Sequence, residues 1–431
     1  MKIFWKRRIK DLNILIVSEN FTKGGLETQV YTQFSIMKKN NNFSFAFGKY
    51  TSLLDLSDSK VYQNFSFSVN STVEQFCEDV DRLVDIIKKD NIEVIHVHPF
   101  YSIFPAVFAA KITNIPIVYT YHGVISLNFP SKINDNLLFK AIIESEIDKV
   151  FSVSQTGIDA IRNFSPNTKT VLIKNAIDVK KYKKHTIKNN KIWALISRIE
   201  KDKIDEIIRI ISNMDEIDIK KICIYGDGNE VNKLKEYIEL YHLEEKVFLM
   251  GYKDNLYEEL DGKYNGILGS SRVSLEAISM GYPTILLGYG KIAGLIDMKL
   301  FNKLKNENFI NRGLPEINIK ELKLQIQNVY KNLDKRNKLS KMVKNEYSAE
   351  KIYKQYIKEL YKVERHNVYN ISEIYNEICK LKLIEKNEKI YSSRNVYYIL
   401  KKYVEKETVL IPLKEEFINF DLYYSIIDAN N

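Results

Sequence analysis

The amino-acid sequence predicts an α/β protein with two doubly wound parallel sheets, followed by a small C-terminal appendage. Three observations support this fold class. Short apolar runs recur along the chain, each run is continuous rather than alternating with polar residues, and loops and helical patterns separate successive runs. Continuous apolar runs indicate strands that are buried on both faces, as in a parallel sheet covered by helices.

The first sheet is predicted from the apolar runs in the first half of the chain. These runs are Ile14–Val17, Val94–Val97, Ile117–Tyr121, Val150–Val153 and Val171–Ile173. Before the second run, apolar residues recur at helical spacing from Val73 to Ile87. These elements define a predicted N-terminal domain over residues 12–180.

The same order of elements starts again near Lys191. The predicted strands are Trp193–Ile196, Ile222–Tyr225, Val247–Met250, Gly266–Leu268 and Thr284–Leu287. The predicted helices between them lie near Ile204–Ser212, Glu230–Tyr241 and Val273–Met280. This second domain is predicted over residues 191–365, with an amphipathic closing helix at Glu350–Val363.

Two further segments complete the predicted organisation. Lys180–Asn190 is polar and charged and is interpreted as the linker between the domains. Residues 366–431 contain no recognisable motif and form the appendage. Because Rossmann-like domains bind ligands at the carboxyl ends of their strands, we expect the site in a cleft between the two domains.

Composition narrows the classes of function. Of the 431 residues, 45% are hydrophobic and 28% are charged, which is typical of a soluble globular chain. No apolar run reaches the roughly 18 residues of a membrane-spanning helix. The net charge is +10, but the basic residues are spread along the chain, so we expect no nucleic-acid partner. Cys77, Cys223 and Cys379 lack metal or redox spacing, which favours a reducing cytoplasm.

The first ten residues are strongly basic and include Phe4 and Trp5. Such a segment can contact an anionic membrane surface. A solvated polar tail explains the same composition. A peripheral position at the inner face of the cell membrane is therefore an open expectation.

Glycines after the first predicted strand indicate a place where a ligand can approach the backbone. Gly24 and Gly25 precede a predicted helix, and Glu27 follows them. Amides at a helix start point towards an anion, and glycine allows close approach. Gly24, Gly25 and Glu27 are therefore candidate substrate-binding residues, although a simple turn also explains the glycine pair.

Histidines follow two of the predicted strands. His122 comes directly after Ile117–Tyr121, where a side chain points into the ligand crevice and can orient a hydroxyl or donate to an anion. His122 is therefore a candidate catalytic residue. His96 and His98 would share one strand face, but no carboxylate or cysteine stands beside them to complete a metal site. Core positions are favoured for both.

Cations and small polar residues follow the strands of the second half. Arg198 and Lys203 lie between a strand and a helix, where they can hold a diphosphate; a solvated charged loop is the alternative. Gly226, Ser270 and Ser271 follow later strands and are candidate substrate-binding residues. Backbone amides beside the serines can hold phosphate.

Glu276 is predicted near the start of the next helix. A carboxylate there can accept both ribose hydroxyls of a nucleotide. The competing interpretation is an ordinary first-turn glutamate that is stabilised by the helix dipole. Asp79 and Asp81 form an Asp-x-Asp pair, but they fall within a predicted helix, which argues against a metal–nucleotide role.

In order along the chain, several short stretches resemble glycosyltransferase family 4, which has the GT-B fold. They are GGLET (Gly24–Thr28), YTYHG (Tyr119–Gly123), VFSVSQ (Val150–Gln155), IKNAID (Ile173–Asp178), ISRIEKDK (Ile196–Lys203), YGDG (Tyr225–Gly228), MGY (Met250–Tyr252) and SLEAISMGYPTI (Ser274–Ile285). Together they cover roughly residues 12–365.

The resemblance implies a transfer of sugar from a nucleotide-diphosphate donor to a saccharide or lipid-linked acceptor, in surface polysaccharide or glycolipid synthesis. It implies retention of configuration, no metal ion and no cofactor other than the donor. It also implies roles for the candidate residues: Gly24 and Gly25 near the donor phosphates and acceptor, His122 on the donor sugar, Arg198 and Lys203 on the diphosphate, and Glu276 on the ribose.

Two positions depart from the family pattern. The family has two glutamates with seven residues between them; Glu276 matches the second, but Leu268 occupies the first position. The first glutamate contacts the donor sugar in the family, so Ser270, Ser271 or Arg272 would have to substitute. The usual Asn-Gly pair is Asn175-Ala176 here.

Two alternative functions remain open from the sequence. A nucleotide-sugar 2-epimerase shares the architecture and needs acid–base carboxylates, for which Glu19 and Glu27 are the candidates in the first half. A non-catalytic partner subunit that retains the fold would explain Leu268. Product formation without an acceptor favours the first alternative, and failure to bind a nucleoside diphosphate favours the second.

Overall fold

The computed structural model describes residues 11–363, except residues 23, 52–53, 69–70, 100, 124–145, 186, 188–189, 254–255, 261 and 330–332. The described residues divide into two compact units: unit 1 contains those up to Lys174 and those from Ile352 to Val363, and unit 2 contains Asn175–Lys351. The basic residues 1–10, the predicted appendage 366–431 and Cys379 lie outside the described residues.

Unit 1 contains a seven-stranded sheet in the order β3-β2-β1-β4-β5-β6-β7, in which every pair of neighbours is parallel. Its elements in chain order are β1 (Asn13–Phe21), α1 (Gly25–Met37), β2 (Asn42–Tyr50), β3 (Lys60–Tyr62), α2 (Val73–Lys89), β4 (Val94–Val97), α3 (Ile103–Ile112), β5 (Ile117–Tyr121), β6 (Lys149–Ser152), α4 (Gln155–Phe164) and β7 (Thr170–Leu172).

Unit 2 contains a six-stranded sheet in the order β10-β9-β8-β11-β12-β13, in which only the β12–β13 pair is antiparallel. Its elements in chain order are β8 (Ile192–Ile196), α5 (Ile204–Ser212), β9 (Lys221–Tyr225), α6 (Val231–Leu240), β10 (Val247–Gly251), α7 (Leu256–Glu259), β11 (Gly266–Gly269), α8 (Arg272–Ser279), β12 (Thr284–Gly288), β13 (Lys291–Leu295), α9 (Met298–Leu304), α10 (Ile319–Val329) and α11 (Leu333–Glu346).

The last described helix, α12 (Ala349–Leu360), begins in unit 2 and belongs to unit 1 from Ile352 onward. Within unit 1, Lys149 binds both the backbone carbonyl and the carboxylate of Glu359 on this helix, at 2.9 and 3.2 Å. These bonds attach the end of the described chain to strand β6.

The predicted α/β class and each strand predicted from an apolar run are confirmed. The ends agree to within one residue, except that β1 extends four residues beyond the predicted end, to Phe21. Strands β2, β3 and β13 were not predicted. Strand β2 alternates phenylalanine with small residues, and β13 contains a lysine and a glycine, so neither is a continuous apolar run. No helix in the described part of the chain combines the length and apolar character needed to span a membrane.

Both sheets reverse their strand order at one point, which positions the candidate site. In unit 1, β1 stands between β2 and β4; in unit 2, β8 stands between β9 and β11. The loops that follow two such strands leave the sheet in opposite directions and open a crevice at the carboxyl edge. The segments after β1 and β4, and those after β8 and β11, therefore occupy the positions where these folds bind ligands.

Candidate active site

The carboxyl edge of the sheet in unit 2 carries most of the predicted site residues. Arg198 follows β8, Gly226 follows β9, and Ser270 and Ser271 follow β11, the strand on the other side of β8. Because β8, β9 and β11 are parallel neighbours, these loops begin at the same edge of one sheet. The structure thus places these four predicted site residues at one edge of the sheet.

The loops after β8 and β9 lie directly against each other. The amide of Ser197 donates to the carbonyl of Tyr225 at 3.1 Å, and that of Ile199 donates to the carbonyl of Asp227 at 2.9 Å. Gly226 has φ +153°, and a Cβ there would lie 1.8 Å from the Ser197 carbonyl oxygen. Gly226 is therefore required for the close approach of the loop that carries Arg198.

Arg198 is exposed and weakly held. Its guanidinium lies 3.3 Å from the Asp202 carboxylate, and 62% of its side chain is accessible to solvent. An exposed pair of this kind contributes at most about 1 kcal/mol, so the side chain can reorient towards an anionic ligand at little cost.

Lys203 is held more firmly by a carboxylate that sequence reasoning missed. Its Nζ lies 3.3 Å from Glu206 Oε1, with side-chain exposures of 18% and 2%, and Glu206 Oε2 accepts the amide of Gly290 at 2.8 Å. Burial raises the pKa of the Glu206 carboxyl, while the Lys203 ammonium acts in the opposite direction. Glu206 therefore ties Lys203 to the loop after β12, where the ammonium also stands 5.8 Å from the centre of the Tyr289 ring.

Ser270 and Ser271 lie just before α8 and have different surroundings. Ser271 adopts φ +52°, and its amide donates to the carbonyl of Phe309 at 2.7 Å. That amide is consequently engaged within the protein rather than directed to a phosphate. Ser270 is half-buried at the end of β11.

Glu276 is the fifth residue of α8, one position further into the helix than the predicted helix Val273–Met280 placed it. The first turn of α8 carries no acidic residue, which excludes the interpretation of Glu276 as a first-turn glutamate. Its Oε1 accepts a hydrogen bond from Arg272 at 3.1 Å, and it is also hydrogen-bonded to Tyr182. Sequence reasoning did not identify Tyr182, which lies far away along the chain.

Leu268, at the position of the missing family glutamate, is a core residue. It lies fully buried in β11 and belongs to the hydrophobic core of unit 2. Its partners on the adjacent strands are Leu195 and Ile285. The side chain therefore packs inside the domain.

In unit 1, Gly24, Gly25 and Glu27 form the start of α1. Glu27 Oε1 accepts the amide of Thr22 at 3.4 Å, and a Cβ on Gly24 would lie 2.7 Å from Glu27 Oε2. The carboxylate thus folds back over the glycine and supports the turn. Glu19, the other acid–base candidate, accepts the amide of Tyr101 at 3.2 Å.

His122 and His98 follow adjacent strands and contact each other. His98 Nδ1 lies 2.8 Å from His122 Nε2. Burial lowers the pKa of His122 to about 4 and holds that of His98 well below its usual value, so both rings are neutral near pH 7. His122, a predicted site residue, is therefore in contact with His98, which was predicted to be a core residue.

His96 is a satisfied core histidine, as expected. Its Nε2 lies 2.6 Å from Thr120 Oγ1, and its Nδ1 lies 2.8 Å from the Tyr356 hydroxyl. Burial lowers its pKa to about 3. Within the described ranges, no group of three or more His, Cys, Asp or Glu side chains is arranged to hold a metal ion.

The Asp-x-Asp pair serves the structure of unit 1. The Asp79 carboxylate accepts the amides of Ser66 and Phe67 at 3.0 and 3.1 Å. Asp79 therefore fixes the chain that leads into α2.

Comparison with known proteins gives concordant results. Residues 59–181 match the family model described as Glycosyltransferase Family 4. The N-acetyl-alpha-D-glucosaminyl L-malate synthase of Bacillus anthracis is 27% identical over 278 residues, which covers 57% of this chain and 72% of the relative. The fold is similar to that of Anabaena HepE in complex with UDP and glucose, with a TM-score of 0.63, 16% identity and coverage of 81% of this chain and 100% of HepE.

A third similar protein is the lipopolysaccharide outer core galactosyltransferase WaaB, with a TM-score of 0.55, 16% identity and coverage of 81% of this chain and 99% of WaaB. The two Rossmann-like units, together with these similarities, define a glycosyltransferase of the GT-B fold. The family model over residues 59–181 and the sequence relative make this chain similar to glycosyltransferases of family 4.

Proposed function

We propose that the protein transfers a sugar from a nucleotide-diphosphate sugar to a saccharide or lipid-linked acceptor, with retention of configuration and without a metal ion. The observation that carries this proposal is the switch point of the sheet in unit 2. There, Arg198 and Lys203 follow β8, and the segment that leads to Glu276 follows its neighbour β11. Cations and a half-buried carboxylate at such an edge suit a nucleoside diphosphate.

Charge stabilisation of the leaving group is the main chemical task in this proposal. As the bond between the anomeric carbon and the diphosphate breaks, the sugar gains oxocarbenium character and the diphosphate gains negative charge. Arg198 and Lys203 supply two positive charges for that growing anion, each typically worth about 2–4 kcal/mol when it is oriented in advance. These side chains do the work that a divalent cation does in metal-dependent transferases.

Lys203 and Arg198 contribute to this task in different ways. Lys203 is held in place by Glu206, so its ammonium needs little reorganisation when the anion develops. Arg198 has only an exposed partner and can close onto the phosphates as a fork. We therefore propose that Lys203 provides a positive charge in a fixed position, whereas the Arg198 guanidinium moves to contact the phosphates.

His122 is proposed to contact the donor sugar as a neutral ring. Its pKa of about 4 keeps the imidazole uncharged at physiological pH, so contact with a sugar hydroxyl adds no charge. Because Nε2 is already bonded to His98, this contact is assigned to the Nδ1 side of the ring. Gly24 and Gly25 are proposed to lie near the donor phosphates and the acceptor. Gly226 and Ser270 complete the proposed set on unit 2.

The acceptor and the cellular context are also proposals. The names of similar proteins include a lipopolysaccharide outer core galactosyltransferase and a synthase that joins N-acetylglucosamine to malate. These names support a sugar-transfer role in the cell envelope or on a small acceptor. We place the enzyme in the cytoplasm, with the acceptor at the inner membrane face.

The decisive test measures sugar transfer and donor hydrolysis. A thermal-shift panel of UDP-, GDP- and ADP-sugars first identifies the donor, because a ligand that binds the folded state raises the melting temperature. Transfer and hydrolysis are then measured for the wild type, Arg198→Ala and Lys203→Ala. We expect the transfer rate of each variant to fall by about 100-fold or more. Unchanged rates in both variants would contradict the proposal that Arg198 and Lys203 bind the diphosphate.

The same assays separate the alternatives. An epimerase would form product without an acceptor, but both of its candidate carboxylates, Glu19 and Glu27, already accept backbone amides. A non-catalytic subunit would show no transfer with any donor that binds. Transfer that depends on the acceptor excludes both.

A further inference from the structure

We infer that Arg272 and Tyr182 are positioning residues that orient the carboxylate of Glu276 towards the ribose hydroxyls of the donor nucleotide. This inference rests on the proposed role of Glu276 in ribose binding and extends it to two residues that the family resemblance does not assign. It makes the ribose contact depend on a specific arrangement of buried donors within unit 2.

The arrangement begins with a buried guanidinium. Arg272 has a side-chain exposure of 9%, and its Nη1 donates to the backbone carbonyl of Ala176 at 2.7 Å. Its Nη2 donates to Glu276 Oε1 at 3.1 Å, one helical turn along α8. Because one nitrogen is bound to a backbone carbonyl, the other presents its proton to the carboxylate in a fixed direction.

Tyr182 completes the arrangement from the segment that precedes β8. Its ring is buried, and its hydroxyl is hydrogen-bonded to both Glu276 and Arg272. Burial, with the nearby Glu276 carboxylate as a second cause, raises the pKa of the phenol well above its ordinary value. The hydroxyl therefore keeps its proton and donates it to the carboxylate.

The geometry leaves part of the carboxylate available. An ionised carboxylate accepts roughly four hydrogen bonds, and Arg272 and Tyr182 occupy two of these positions on Glu276. Glu276 retains a side-chain exposure of 21%. Two acceptor positions are the number that a pair of vicinal ribose hydroxyls requires, so the buried donors both hold the carboxylate and determine which lone pairs it presents.

The charge of Arg272 also compensates the partly buried carboxylate of Glu276. A carboxylate that leaves water needs a compensating charge, and a guanidinium one helical turn away supplies it. Arg272 thus acts on ribose binding through Glu276 and not by contact with the nucleotide.

The test compares a nucleoside diphosphate with its counterpart that lacks both ribose hydroxyls. Calorimetry measures the dissociation constants of UDP, GDP and ADP and of the 2′,3′-dideoxy form of whichever binds best. The variants are Glu276→Gln, Arg272→Lys, Arg272→Met and Tyr182→Phe. The control is Lys180→Ala, which removes only an exposed ion pair with Glu350.

We expect the wild type and Lys180→Ala to prefer the ribose form by about tenfold or more, because two charge-assisted hydrogen bonds are lost in the dideoxy form. Glu276→Gln and Arg272→Met should lose most of that preference. Tyr182→Phe should lose part of it, and Arg272→Lys should retain only part because lysine lacks the planar fork. A general folding defect would weaken both ligands equally and leave their ratio unchanged.

The outcomes separate this inference from the function on which it rests. If the wild type binds no nucleoside diphosphate, or shows no preference for the ribose form, the ribose role of Glu276 fails and the inference fails with it. If Glu276→Gln abolishes the preference while the Arg272 and Tyr182 variants keep it in full, only the positioning role is overturned. Should Arg272→Met not fold, Arg272→Lys and Tyr182→Phe still decide the question.

Discussion

His98 Nδ1 lies 2.8 Å from His122 Nε2, and this contact determines how the two neutral rings share their protons. Among the described residues, His98 Nε2 is buried and has no hydrogen-bond partner. A buried N–H without a partner is rarer than a buried acceptor without one. We therefore assign the proton of His98 to Nδ1, so His122 Nε2 accepts and the proton of His122 is on Nδ1.

The first prediction concerns this shared proton. His98→Leu removes the donor to His122 Nε2 and should lower the free energy of unfolding by about 1–3 kcal/mol and the transfer rate by about tenfold. His98→Asn places an amide close to the position of Nδ1 and should retain most of both. Denaturant unfolding and steady-state transfer assays measure the two effects. Equal behaviour of the leucine and asparagine variants would contradict the assignment.

The second prediction concerns pH. Burial lowers the pKa of His122 to about 4 and that of His96 to about 3, whereas the ordinary value is 6.5. The unfolded chain therefore binds more protons than the folded chain between these values. Stability should be complete above pH 6.5 and should fall as the pH decreases, by up to about 2 kcal/mol per histidine at about pH 5.

The pH prediction is checked by urea unfolding at several pH values. His122→Asn should reduce the dependence on pH because it removes one of the neutral histidines. The matched control is His242→Asn, since His242 is exposed and asparagine tolerates its backbone φ of +52°. If His122→Asn leaves the pH dependence of the wild type unchanged, His122 is not held neutral by the fold.

Particular residues show what the sequence could and could not predict. Continuous apolar runs such as Ile117–Tyr121 predicted the parallel strands, because a strand that is buried on both faces has apolar residues at successive positions. Position after a strand likewise selected His122 and Arg198. Tyr182 was missed because its contacts with Arg272 and Glu276 join segments far apart in the chain, and no local pattern encodes such a contact.

Glu206 was missed for a different reason. It lies on the apolar face of α5 beside Ile207 and Ile210, three residues after Lys203. A charged residue on an apolar helix face indicates a buried partner, since isolated buried charges are strongly unfavourable. That signal was present in the sequence but was not interpreted.

The third prediction separates the stability and activity roles of Lys203. Lys203→Met leaves the Glu206 carboxylate buried without its cation and should lower the free energy of unfolding by about 3 kcal/mol. Lys203→Met combined with Glu206→Gln should recover most of this loss, because no buried charge remains. Transfer should stay low in both variants. Recovery of transfer in the double variant would show that Lys203 acts only through stability.

The fourth prediction tests whether restoring the family residue at Leu268 restores its contact. Because Leu268 is fully buried in β11 between Leu195 and Ile285, Leu268→Glu should bury a carboxyl in the core and cost several kcal/mol, about 3 or more. We expect a lower melting temperature and no gain in transfer. Leu268→Met, which conserves volume, should cost less than about 1.5 kcal/mol. A stable, more active Leu268→Glu enzyme would place this side chain at the donor sugar.

The fifth prediction concerns the loop that carries Arg198. Gly226 has φ +153°, and a Cβ there would lie 1.8 Å from the Ser197 carbonyl oxygen, so Gly226→Ala must push the loops after β8 and β9 apart. Arg198 follows Ser197 directly, and we therefore expect Gly226→Ala to weaken nucleoside diphosphate binding about tenfold, as well as to lower the melting temperature. The control is Lys246→Ala, which removes an exposed ion pair with Asp215 in the same unit and lies outside the proposed site. If Gly226→Ala is destabilised but binds the nucleotide normally, diphosphate binding does not depend on the contact between these two loops. Arg198 would then bind its ligand from a loop that tolerates displacement.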